Sequence, residues 1–170
     1  MESHTAKISL LLTVIGAVVW LGGVNVRAIV GADLLEFGTP DFKPNIHPYV
    51  EREVFGLIAR SSIIVILAYL LTLVSSIVYL KTTQLTLKQN GWLMMSAILF
   101  YLFVPVEVYT MILDGRIIYL DMVLSSNDLV EFRKLFIHRL AALSGVPIIA
   151  LMCYYTITGL VIFQPLKKFR

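Results

Sequence analysis

Four stretches of this chain, residues 8–30, 55–80, 92–113 and 139–163, are mainly apolar over the roughly 20 residues that one helical crossing of a bilayer requires. Together they use more than half of the 170 residues, which leaves no room for a soluble domain of useful size. Charged residues make up only 15% of the chain, against about 25% in soluble proteins. The expectation is one transmembrane domain over residues 1–170, an all-α integral membrane protein. Its architecture is a four-span antiparallel helix bundle with two ordered outer loops.

The chain is basic overall, but this does not point to nucleic acid, because in a membrane protein the charges are counted side by side. The side holding both termini and the 81–91 connector carries Lys7, Lys81, Lys88, Lys167, Lys168 and Arg170 against Glu2. Acids and bases nearly balance on the other side. Uncompensated positive charge marks the cytoplasmic side, so both termini are expected in the cytoplasm, with the bacterial plasma (inner) membrane as the location. The apolar run of the first segment is too long for a typical signal peptide core, and no clear cleavage site follows it, so it reads as an uncleaved span.

The connectors are unequal. Residues 81–91, KTTQLTLKQNG, form a short turn ending in Asn-Gly, which makes the second and third spans antiparallel neighbours. Trp92 then stands where an interfacial aromatic belongs. The first outer loop carries Pro40, Pro44 and Pro48, a spacing that forbids a regular helix through it. Leu34, Leu35, Phe37, Phe42 and Tyr49 are too apolar for a solvated linker, so the loop is expected to lie over the bundle or on the interface. In the second outer connection, Asp114-Gly115 reads as the end of the third helix and residues 116–124 as extended or interfacial chain. Asp128 and Glu131 have capping-box spacing, which starts a short amphipathic helix. That helix either turns down at His138-Arg139 or runs straight into the fourth span, where Ser144, Gly145 and Pro147 invite a kink.

The chemistry lies in ionisable groups inside these spans. Glu107 stands within an apolar run, about 9 Å from the outer end of its span at Leu113 by helical rise. A carboxylate at a helix centre costs roughly 2.5–3.5 kcal/mol on insertion scales, so Glu107 must be paired, neutralised or wetted. Arg60 lies at a similar depth in the second span, Arg27 near the outer end of the first, and His138 and Arg139 at the opening of the fourth. The candidate site is this outer-leaflet cluster: Arg27, Arg60, Glu107, His138 and Arg139. One reading is structural, with Arg60 and Glu107 as an interhelical ion pair and Arg27 and Arg139 reaching the headgroups. The other takes the surplus of positive charge as a pocket for an anionic headgroup, a carboxylate or a quinone carbonyl, with Glu107 exchanging a proton.

Other chemistries find no support in the residues. The single cysteine, Cys153, excludes an internal disulfide and a cysteine metal cluster. A buried haem would want facing histidines, and only His138 approaches the membrane. Nucleophile motifs and phosphate loops are absent. No catalytic residue, no metal and no cofactor is therefore assigned, with a quinone or bound lipid as the ligand this cluster would suit. The reading that follows is a non-catalytic subunit or assembly partner of a larger membrane complex rather than an enzyme. Its partners would be the lipid bilayer and either other membrane subunits or further copies of itself. The alternatives are a small homo-oligomeric transporter or channel, or a lipid- or quinone-binding redox subunit.

Overall fold

The computed structural model describes residues 3–124 and 128–167. The described residues are mostly helical and include no strand, and four of the helices are long and apolar enough to cross a membrane. The first is α1 (His4–Ala32) and the second α2 (Pro48–Thr82). The third consists of α3 (Gly91–Leu102) and α4 (Val104–Ile118), continued by a π-helical turn over Tyr119–Val123. The fourth consists of α5 (Leu129–Ala141), a tight turn at Ala142–Gly145, and α6 (Val146–Phe163).

Each helix runs past its apolar stretch, for local reasons. Ser3 caps α1 by accepting from the Ala6 amide. Pro48 begins α2, where its missing N–H costs nothing, and the His47 ring nitrogen accepts from the Tyr49 amide. The helix thus starts two turns before the apolar run and carries Glu51 and Arg52 within it. Asp128 accepts from the amides of Val130 and Glu131 and so opens α5, as the capping-box spacing predicts.

Two breaks divide the long helices. Pro105 has no amide to give and would clash with the carbonyl four residues earlier, so the ladder stops at Phe103 and restarts with Glu107 bonded to Phe103. The second break is sharper: Leu143, Ser144 and Gly145 all take positive φ, and Gly145 at +88° occupies a conformation that only glycine adopts freely. The break falls where Ser144, Gly145 and Pro147 invite a kink; the amphipathic helix does not turn at His138-Arg139, which lie in the last turn of α5.

A larger correction concerns residues 114–124. Asp114-Gly115 does not end the third helix, and residues 116–124 are not extended: α4 continues through Ile118 and the π turn through Val123. Burial explains this, because Ile117 and Leu120 join Leu34, Phe55, Ile58, Ala59, Phe132 and Phe136 in one apolar cluster. Trp92, in the first turn of α3, is buried and packs with Ala6, Tyr79 and Leu93.

α1 and α2 share the longest contact. Ser3 meets Thr82, Thr13 bonds Ser75 at 2.9 Å, and Arg27 bonds Ser62, so partner numbers fall along α2 as they rise along α1. Gly16 brings the backbones together: a Cβ there would lie 2.5 Å from Thr72 Oγ1 and 3.0 Å from the Ala68 carbonyl. Between them, α1, α2, α3 and α6 enclose an aromatic layer of Trp20, Tyr69, Phe100 and Tyr154. The outward faces are apolar, with Val18, Ile64, Ile148 and Ile162 all exposed. A soluble bundle would turn such residues inward; here the apolar helix windows are no more than 28% buried.

The first loop is ordered and lies over the helix ends, as its composition predicts. Lys43 donates to the Leu34 carbonyl and Glu36 to the Asp41 carbonyl, closing residues 34–43 into a hairpin-like turn. Phe42 anchors it against Phe55 and Phe136, at ring distances of 6.2 and 6.1 Å.

Candidate functional site: a shared aspartate between two arginines

The ion pairs among the described residues collect at the end where α1 finishes and α2 begins. Arg27 points inward because it continues the buried stripe of α1, which runs through Gly16, Trp20, Arg27 and Gly31 at helical spacing. Asp114 does the same on α4, beside buried Thr110, Leu113 and Ile117. Their side chains are 7% and 3% exposed and meet at 2.9 Å between Nη1 and Oδ2. The same Nη1 donates to Ser62 Oγ at 2.5 Å, and Ser62 Oγ donates to the Ile58 carbonyl at 2.7 Å.

Arg139 approaches Asp114 from α5. Its Nε donates to Oδ1 and its Nη2 to Oδ2, so one carboxylate is shared by two guanidiniums. α1, α2, α4 and α5 all reach this point. In so apolar a setting, a lone charge would be strongly destabilising, and the shared geometry is what makes three charges tolerable.

Two further ion pairs surround it. Glu51, 1% exposed, is held by Arg133 in a two-pronged contact with distances of 2.5 and 2.6 Å. Arg52 meets Asp121 at 2.6 Å, and its guanidinium lies over the Phe132 ring at 4.8 Å. These pairs fasten α2 to α5 and to the π turn after α4.

Of the five residues singled out from sequence, the structure joins Arg27 and Arg139. It does not join Arg60 to Glu107. Arg60 is exposed and folds back beside Gly56, near the Arg52–Asp121 pair. Glu107 is half-buried one layer further in and accepts from the Tyr154 hydroxyl at 3.1 Å. The charges whose fields reach it are Arg139, Asp114 and Arg27. His138 is exposed on α5.

Asp114 is the residue that sequence reasoning passed over. Read as a helix terminus, it had no reason to face inward. The signal was present: Asp114 follows Glu107 by seven residues, nearly two helical turns, so a continuing helix puts both on one face. Glu51 and Arg52 were likewise assigned to the loop, and only the early start at Pro48 turns them into the bundle. No protein family, curated protein sequence or solved structure matches this chain.

Proposed function

We propose that this is a bacterial plasma-membrane protein with four antiparallel spans and cytoplasmic termini, serving as a non-catalytic subunit or assembly partner of a larger membrane complex. The observation that carries the reading is that the three most buried acids of the described residues, Asp114, Glu51 and Asp121, are all fixed in ion pairs, while Glu107 is bonded to a tyrosine. Asp114 is held by two arginines, Glu51 by Arg133 and Asp121 by Arg52. A general acid or base must be free to exchange its proton at a reacting atom, and these carboxylates are instead fixed in contacts between helices. Such pairs specify how helices meet; they do not drive chemistry.

The orientation is supported by the end opposite these pairs. There the start of α1 meets the end of α2, and the start of α3 meets the segment after α6, through Ser3–Thr82 and Asn90–Lys167. Lys7, Lys81, Lys88 and Lys167 therefore gather at one end, as cytoplasmic charge does.

The test is the mass and composition of the native particle, extracted from its own membrane in a mild detergent. Stoichiometric foreign chains are the expected result. A particle made only of this chain would overturn the subunit reading and leave the homo-oligomeric transporter in its place.

A further inference from the structure

We propose that the groove between α1 and α5, above the shared aspartate, binds the headgroup of an acidic phospholipid. The groove holds about 180 Å³ and is walled by Val24, Ala28, Gly31, Phe136 and Leu140, with Arg27 and Arg139 lining it. Gly31 lets the Phe136 ring pack directly onto α1 in the groove wall, and Ala28 beside it presents only a methyl group. A Cβ at Gly31 would lie 2.8 Å from the Phe136 ring.

The charge selects the ligand. Two guanidiniums share one carboxylate, which leaves one positive charge in excess at the contact. Glu107 is bonded to Tyr154 and makes no ion pair with either arginine among the described residues. Donors are also left over. Nη1 of Arg27 serves Ser62 and Asp114, while its Nε and Nη2 have no protein partner among the described residues. Nη1 of Arg139 is in the same position. None of these atoms is sealed away: among the described residues, the fully enclosed side-chain polar atoms without partners are Trp20 Nε1, Tyr69 Oη and Trp92 Nε1.

A single negative charge with several acceptor oxygens satisfies both the excess charge and the spare donors, and a phosphodiester has both. A quinone carbonyl is neutral and would leave the charge uncompensated. Position argues the same way. Arg27 and Arg139 lie at the ends of the apolar runs 8–30 and 139–163, the level at which lipid headgroups sit. Leu140 in the wall is exposed and apolar, a surface along which an acyl chain can lie.

This inference rests on the membrane reading but not on the subunit reading. The protein is reconstituted in vesicles of equal dioleoyl-phosphatidylglycerol and dioleoyl-phosphatidylcholine, and the lipids it retains are counted by native mass spectrometry. Both lipids carry a phosphodiester, but only in phosphatidylcholine is its charge offset by a choline ammonium, so the wild type is expected to keep phosphatidylglycerol by roughly tenfold over phosphatidylcholine. Arg139→Gln should bring that ratio close to one. Ala28→Phe fills the groove without touching an ion pair, and it should do the same with the fold intact. It decides the matter if Arg139→Gln fails to fold. Equal retention of the two lipids by the wild type overturns the proposal, as does a preference that survives Ala28→Phe. Recovery of the chain from the soluble fraction overturns the membrane reading and this proposal with it, and is seen before any lipid is counted.

Discussion

The Tyr154 hydroxyl donates a 3.1 Å hydrogen bond to Oε1 of Glu107, so the acid inside the third apolar stretch is answered by a neutral aromatic and not by an arginine. The burden of ion pairing falls on Asp114, two turns further along the same helix. The two acids should therefore respond very differently to loss of charge.

Glu107→Gln keeps an oxygen that accepts from Tyr154 and separates no ion pair, so its effect on unfolding in detergent should stay within about 1 kcal/mol. Asp114→Asn removes the carboxylate charge that Arg27 and Arg139 share and leaves two guanidiniums about a neutral amide. Breaking a buried pair in this way costs about 3–5 kcal/mol, enough to lower the melting temperature by many degrees. Thermal unfolding of both variants in one detergent checks the contrast. A neutral Asp114→Asn would show that the shared aspartate does not hold the bundle together.

The first loop makes a separate prediction, because Phe42 is one of the side chains, with Leu34, Leu35 and Ile46, that pack it on the helices. That ring lies against Phe55 and Phe136, with the Arg133 guanidinium 5.0 Å above it. Phe37, at the tip, is fully exposed. Phe42→Ala should weaken docking by about 1–2 kcal/mol and so open the loop roughly five- to thirtyfold more often. Chymotrypsin cleavage after Phe37 should accelerate by a similar factor while helix content is unchanged. An unaltered rate would mean that the backbone bonds at Lys43 and Glu36 hold the loop without Phe42.

These contrasts also show how far the sequence could be read. Length and apolar content sufficed for four helices, and the proline spacing sufficed for an irregular first loop. The concentration of ionisable groups at one end was visible by counting along each span. Which of them meet was not visible, because pairing depends on helix rotation and on where each helix truly stops. The expected Arg60–Glu107 pair rested on equal depth, yet Arg60 leaves α2 on an exposed face. Asp114 was missed because Asp-Gly reads locally as a stop. What overrides that local signal is the burial of Ile117 and Leu120 one and two turns later. Glu51 was missed for the opposite reason: Pro48 reads locally as part of a loop, and in the fold it is the first residue of a helix.

The final prediction concerns a close contact between α1 and α2 and separates two glycines of α1 that look alike in sequence. Gly16 lies against α2, where an added Cβ would be 2.5 Å from Thr72 Oγ1 and 3.0 Å from the Ala68 carbonyl. Thr72 cannot simply swing away, because its hydroxyl donates to that same carbonyl at 2.8 Å and its side chain is buried. Gly16→Ala must therefore push α1 and α2 apart or strain Thr72, at a cost of about 1–3 kcal/mol. Gly22 has nothing within 4 Å of its Cβ position. Gly22→Ala should leave stability unchanged or raise it slightly, because alanine holds a helix better than glycine by about 1 kcal/mol. Any separation of α1 from α2 would also move Arg27 away from Ser62 and Asp114, so Gly16→Ala should weaken phosphatidylglycerol retention along with stability. If Gly16→Ala and Gly22→Ala unfold at the same temperature, the α1–α2 contact is looser than the packing of Gly16 on Thr72 requires.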